Sequence, residues 1–411
     1  MAIIKPFKAL RPERNVAHLV ASVPYDVVSR EEAAELAEGN PLSFLRVTRS
    51  EIELKENVNP YSQEVYEHAR KNLEKITTLA PLIQDQTDRF YLYQLIMNEQ
   101  SQTGIAATFS VDDYDNNVIL KHEKTRKEKE DDRTNHILKT SAQTGPVFLT
   151  YRDVDVINQL VEKIKMEVAP IYDFISKDGV QHRVWIVPES YNDFIINEIK
   201  KVDRIYIADG HHRAASASRV REIKKQQNPS HTGDEEYNYF LAVLFPASQL
   251  KILPYNRVVY SLNGMSENEF IEKVKINFDL TEVDFSTPKE RKTICMYLDK
   301  KWYLMKPNDN VKEGKTYGEN LDVSILQNYL LQPFLGIDDP RTSKNIDFVG
   351  GIRGTKELEK LVDSKKAAVA FSMFPVSIDD LMKISDAGEI MPPKSTWFEP
   401  KLRDGLLIHL I

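Results

Sequence analysis

Five consecutive residues, Asp209-Gly210-His211-His212-Arg213 in "RIYIADGHHRAASASRVR" (204–221), set a carboxylate, two imidazoles and a guanidinium around one glycine. The preceding "RIYIA" is apolar and β-branched enough for a buried strand, which puts Asp209 at its carboxyl end. Gly210 permits a sharp turn or a close approach of backbone to a ligand. A helix opening there would offer free N–H groups and the positive end of its dipole to an anion. Arg213 adds a planar fork suited to phosphate or carboxylate. The small residues Ala214 to Ser218 let such a helix pack closely on a sheet. Adjacent helical residues point about 100° apart, so His211 and His212 do not converge on one ion and no metal site is assigned. The competing reading is a polar cap with a histidine bonded to a neighbouring loop.

Other segments carry weaker signals. "LKHEKTRKEKEDDRTNHILK" (120–139) opens with His122-Glu123, but Arg126 stands where a zinc-protease helix needs its second histidine. Alone, this charge-dense stretch reads as a solvated helix face. Lys394-Ser395 in "MPPKSTWFEPK" resembles the end of a phosphate loop without the glycines that must precede it, and suggests an ordered loop near a site. "GGIRG" (350–354) is a tight turn, with an oxyanion nest as the alternative. Asp26 in "VPYDVV" is a second acid or base, or a helix cap.

The elements that must hold these residues are legible in outline. Ser29 with Glu32 forms a capping box for a helix that Gly39-Asn40-Pro41 ends. Apolar spacing predicts a helix over 60–79, and "RFYLYQLIM" with "QTGIAATFSV" a hairpin. The middle, 146–260, alternates strands and helices. The last third predicts a helix at 265–277, a hairpin around Asp299-Lys300 and a helix near 322–335. The class is mixed α/β (α+β). Without a Gly/Ser/Pro-rich linker, the division is drawn at 1–260 for a core and 261–411 for an α/β region packing back on it.

Composition narrows the function. The 411 residues suffice for two or three domains, and 41% are apolar. A net charge of −7 argues against a nucleic-acid or membrane surface. One cysteine, Cys295, excludes an intramolecular disulfide and a thiolate metal cluster, and its strand-like setting "KTICMYLD" suggests an inert core thiol. No signal peptide and no apolar run of membrane-spanning length is visible. A cytoplasmic soluble protein is expected.

Together "VPYDVVS", "KHEKTRKEKEDDR", "GPVFLTY", "HRVWIV", "IYIADGHHRAASA", "LKILPYNRVV", "LDVSILQNYLLQPFLGI" and "MPPKSTWFEPKLRDGLL" resemble, almost end to end, the bacterial domain-of-unknown-function family ten-fifteen. Members often carry a SpoOJ/ParA/ParB/RepB-type label. That family resembles the ParB/sulfiredoxin-like superfamily, which includes free-serine kinases, so the resemblance implies a ParB/sulfiredoxin-like core with interleaved α/β elements. Its Gly-x-His-Arg-like motif, which holds nucleotide phosphates, falls on Gly210, His212 and Arg213. His211 occupies the position of the sulfiredoxin cysteine, so sulfinic reductase chemistry is not implied. Asp209 fits the serine-kinase branch. Asn256 departs from the histidine of other members.

The expected function is a nucleotide-dependent phosphotransferase, a small-molecule kinase acting on a hydroxyl metabolite such as free serine. Gly210, His211, His212, Arg213, Lys394 and Ser395 are expected to hold the nucleotide (ATP, ADP or CTP, with Mg²⁺). Asp209 or Asp26 would take the hydroxyl proton, with His122 and Glu123 as further participants. The alternative is a non-catalytic ParB-like nucleotide switch that binds a partner. A DNA-associated role ranks third, since neither a helix-turn-helix nor a basic face stands out. A homodimer is an open expectation.

Overall fold

The computed structural model describes residues 2–79 and 82–411, which fold as two compact units. The first comprises 1–121, 125–250 and 400–411, and the second 122–124 and 251–399. The boundary expected at 260/261 falls at 250/251, because strand Tyr255–Val259 belongs to the second unit's sheet. Segment 400–411, expected in the later region, returns to the first unit.

The first unit is built on a mixed nine-stranded sheet. Its order is Ile119–Leu120, Ile205–Asp209, Val147–Tyr151, Tyr239–Pro246, Gln100–Ser110, Tyr91–Met97, Gln181–Ile186 and Tyr172–Ile175, with Ile4–Lys5 added against Gln100–Ser110. Most neighbours are antiparallel, while Tyr239–Pro246 runs parallel to Val147–Tyr151 and Ile205–Asp209 parallel to Ile119–Leu120. The unbroken apolar run of Tyr239–Pro246 is buried at every position, as a central strand covered on both faces requires. The hairpin of Tyr91–Met97 and Gln100–Ser110 turns at Asn98, whose φ of 54° is left-handed. Helix His211–Gln227 follows Ile205–Asp209, and its Ala214 and Ala217 enter the core with Leu149, Ile205 and Ile207. The capping box at Ser29 is present and opens helix Arg30–Ala37.

The second unit holds a six-stranded antiparallel sheet ordered Phe278–Val283, Lys301–Pro307, Ile294–Leu298, Val369–Met373, Tyr255–Val259 and Ile346–Gly350. The hairpin expected around Asp299-Lys300 is there, with both residues at positive φ (46° and 61°), as a tight two-residue turn demands. Helix Glu267–Asn277 carries a capping box from Ser266. The helix expected near 322–335 is interrupted by a π-helical turn, Gln327–Leu331. Pro333 cannot donate to the carbonyl of Tyr329 and crowds it. That carbonyl accepts instead from Asn277 Nδ2 at 2.8 Å. Cys295 is fully buried, and burial pushes its thiol up to about 12, which makes it an inert core group. Among the described residues no helix is long and apolar enough to cross a membrane.

Candidate functional site

Strand Ile205–Asp209 ends at the carboxylate and Gly210 turns the chain into the helix, as the residue pattern predicts. Gly210 has φ +93°, a conformation side chains disfavour. A Cβ there would also stand 3.0 Å from Arg213 Nε, so the guanidinium folds back across the bare glycine. Gly210, at the N-cap position, has no side chain to cap the helix. Seventeen residues of aligned peptide dipoles therefore end in N–H groups beside Arg213.

Asp209 is not a free carboxylate. Its Oδ2 accepts from Lys401 Nζ at 2.9 Å and its Oδ1 from the Gly210 N–H at 2.9 Å. Burial favours the neutral acid, but Lys401 and then Arg213 outweigh it and hold the carboxyl well below the usual range. A carboxylate so stabilised is a weak base. Lys401 lies 192 positions away, with nothing local to announce it.

Arg213 donates to the Pro146 carbonyl, while its Nε has no hydrogen-bond partner among the described residues. Burial pulls the guanidinium down, yet the charges of Asp26, Asp209 and Asp404 leave it raised. Beside it lies a chamber of about 30 Å³, bordered by Tyr25, Arg133, Thr144, Gly145, Arg213 and Asp404. That volume suits one or two water molecules and is far too small for a nucleotide. Asp404 is 2% exposed and its Oδ1 has no partner among the described residues. Gly145 is required here, because any Cβ would overlap that oxygen. Burial pushes the Asp404 carboxyl up to about 7, against the pull of Arg213. The sequence reading missed this residue, which sits in an unremarkable "LRDGLL".

His212 Nε2 accepts the Arg126 N–H at 3.0 Å, so the ring also fixes the entry of helix Lys127–Thr140. That nitrogen is unprotonated, which leaves Nδ1–H as the ring's donor. His211 is buried and Asp26 exposed, and Asp26 is close enough for its charge to act on Arg213 and Asp404.

The charged segment differs most from its expectation. Helix Lys127–Thr140 buries Asp132, Arg133, His136 and Ile137. Arg133 pairs with Asp132 at 2.8 Å and lies 4.0 Å from the Tyr25 ring centre, while Tyr66 donates to Asp132. His136 is bonded to the Val47 carbonyl, and burial lowers it to about 4, so it is neutral and structural. The i, i+4 spacing of Asp132, His136 and Thr140 was the available signal for a buried face.

The remaining expected residues belong to the second unit. His122 is buried; its Nε2 is 3.4 Å from Thr396 Oγ1 and its carbonyl accepts from Met391 N–H. Glu123 is half-buried beside it in the chain. Lys394 is held at φ +56° with its ammonium 5.3 Å from the Tyr255 ring centre. Ser395 donates to the Pro392 carbonyl at 2.6 Å. "GGIRG" is a packing device: a Cβ on Gly350 would meet the Trp397 ring at 2.8 Å, and one on Gly351 the Pro254 carbonyl at 2.7 Å. Asn256 is buried and accepts the Met373 N–H.

The fold is of the mixed α/β class. Residues 4–324 match the family described as "Protein of unknown function (DUF1015)", and the chain belongs to that family. No curated protein matches it. Among solved structures, a conserved hypothetical protein from Pyrococcus furiosus overlaps with TM-score 0.37 and 14% identity, covering 75% of this chain and 95% of its own. A free serine kinase in complex with AMP gives 0.37 and 11%, covering 73% and 91%. C-terminally truncated SbnI from Staphylococcus aureus gives 0.39 and 12%, covering 73% and 85%. Similarity at this level assigns neither activity nor ligand to the present chain.

Proposed function

We propose that the chain is a nucleotide-dependent phosphotransferase acting on a small hydroxyl-bearing metabolite, with a free amino acid such as serine the first acceptor to test. The observation that carries this reading is the entry of helix His211–Gln227, where the positive end of the helix dipole and an Arg213 guanidinium, whose Nε has no hydrogen-bond partner among the described residues, converge over Gly210. Phosphoryl transfer asks chiefly for such positioning and charge neutralisation. On this reading the first unit is a ParB/sulfiredoxin-like core. Gly210, His211, His212 and Arg213 hold the phosphates outside the water-sized chamber. Asp26, the exposed carboxylate, takes the hydroxyl proton or holds Mg²⁺ through water. Asp209, tied to Lys401, keeps the turn and Arg213 in place.

Calorimetric titration with ATP, ADP and CTP, with and without Mg²⁺, followed by turnover against a panel of hydroxyl metabolites, tests the proposal. Saturable binding with transfer supports it, and absence of binding to all three nucleotides refutes it. His122, Glu123, Lys394 and Ser395 are examined by single substitution in the same turnover assay. One observation favours a non-catalytic nucleotide switch as the second reading: the carboxylate nearest the helix entry is a weak base because Lys401 neutralises it. Tight binding without turnover would select that reading.

A further inference from the structure

We propose that a pocket of about 280 Å³ within the second unit recognises a free amino acid with an apolar side chain, Asp322 holding its ammonium and Lys292 its carboxylate. The volume lies just under the roughly 300–1,000 Å³ of pockets that take drug-sized molecules, which suits a smaller ligand. Of the five charged side chains lining the pocket, three are satisfied by the protein itself. Arg291 pairs with Asp380, which also accepts from the Ser377 N–H and hydroxyl at the start of helix Ile378–Asp386. Lys383 pairs with Asp379 at 2.6 Å. The other two, Lys292 and Asp322, have no ion-pair partner among the described residues, and both border the same cavity.

Asp322 is half-buried at the start of the short helix Asp322–Leu326. Its Oδ1 accepts the Lys292 N–H at 2.9 Å, and among the described residues no donor reaches Oδ2. Burial pushes the carboxyl up to about 6, against that N–H and the charges of Arg291 and Lys292. At neutral pH it is therefore ionised without a cation in contact. An ammonium supplies what is missing, a full opposite charge and donors for the open oxygen. Lys292 holds a backbone φ of +58°, which a lysine adopts only under constraint; in it the N–H meets Asp322 while the residue borders the cavity. Leu321, Phe374, Pro375 and Val376 form an apolar wall, Leu321 and Val376 being only 7% and 8% exposed. The opposite side is set before any ligand arrives. Asn320 is bonded to the backbone of Gly314 and Thr316, and Glu389 accepts the N–H groups of Tyr317 and Gly318. Two unlike charges beside an apolar wall match a zwitterion with an aliphatic tail, whereas a plain amine or a plain carboxylate would meet only one of them.

The test is calorimetric titration of the full chain with L-leucine and its two one-charge analogues, 3-methylbutylamine and 4-methylpentanoate. All the residues concerned belong to the second unit, so no nucleotide is added and the outcome does not depend on the helix entry at Gly210. Saturable binding of leucine is expected, with each analogue at least about tenfold weaker. Asp322→Asn should weaken leucine about ten- to a hundredfold, and Lys292→Met about tenfold while leaving the amine unaffected. Asp322→Asn keeps an oxygen for the Lys292 N–H, so without ligand it should melt no lower than wild type. A carboxylate that served the fold alone would give the opposite result. No saturable binding of leucine overturns the proposal, as does equal binding of either analogue or unchanged leucine affinity in Asp322→Asn. Should Asp322→Asn fail to fold, unchanged leucine affinity in Lys292→Met overturns it equally.

Discussion

Replacing Lys401 by methionine keeps an apolar stem of similar length and removes the charge that faces Asp209. The pair is 2.9 Å long, with side chains 10% and 28% exposed for Lys401 and Asp209. At an effective dielectric of about 20 the gross attraction is roughly 5 kcal/mol, most of it offset by desolvating the two ions. Breaking a fully buried pair costs about 3–5 kcal/mol and an exposed one at most about 1, so this partly wet pair falls near 2–3 kcal/mol. Asp209 lies below its unfolded value, so the stabilisation is present at neutral pH and is lost only as pH falls below about 4 towards the folded pKa. Urea unfolding at neutral pH reads the loss directly. Pairing the variant with Asp209→Asn completes a double-mutant cycle, and the double variant should recover most of the deficit. Because the pair is shielded, raising salt to about 0.5 M should change the loss little. A loss below about 0.5 kcal/mol, or strictly additive single variants, would refute the view that Lys401 is what keeps Asp209 ionised.

Arg213→Ala should weaken nucleotide binding about ten- to a hundredfold by calorimetry, and Arg213→Lys should recover part of it, because an ammonium keeps the charge but not the fork. Asp404 titrates near 7 in the fold and about 3.9 when unfolded, so the folded state binds the extra proton and stability falls as pH rises from about 4 through 7. Denaturation across that range should show a shallower pH dependence in Asp404→Asn than in wild type. Gly210→Ala should cost about 1–2 kcal/mol in thermal unfolding, from the left-handed backbone alone, and should also weaken nucleotide binding by displacing Arg213.

Local chemistry made part of this molecule readable. The apolar strand, glycine and small-residue helix at 204–221 follow from rules that act over a few residues, as does the positive-φ turn at Asp299-Lys300. Lys401 and Asp404 escaped because their roles depend on partners far back in the sequence, near residues 209 and 145. The unit boundary escaped for a related reason: the chain enters and leaves the second unit through strands Lys251–Leu253 and Trp397–Glu399, paired with each other, so no flexible linker marks the crossing. Asp132 and Arg133 were misjudged since a charge-rich segment satisfies its charges internally when one face is covered.

The return of segment 400–411 to the first unit has a consequence for biosynthesis. Asp404 pairs through its backbone with Ser22, Ile408 with Leu10 and His409 with Gln143. A ribosome therefore finishes the large sheet of the first unit and then adds about 150 further residues before the strip that fastens it emerges. At about 5–20 residues per second, the nascent unit waits roughly 8–30 s with the Asp209 carboxylate lacking its lysine and without Leu406, Leu407 and Ile408, which are buried in the finished fold. Through that interval it is a natural client for a chaperone. A chain whose translation stalls anywhere in 251–399 never closes the strip and stays recognisable to proteases as unfinished.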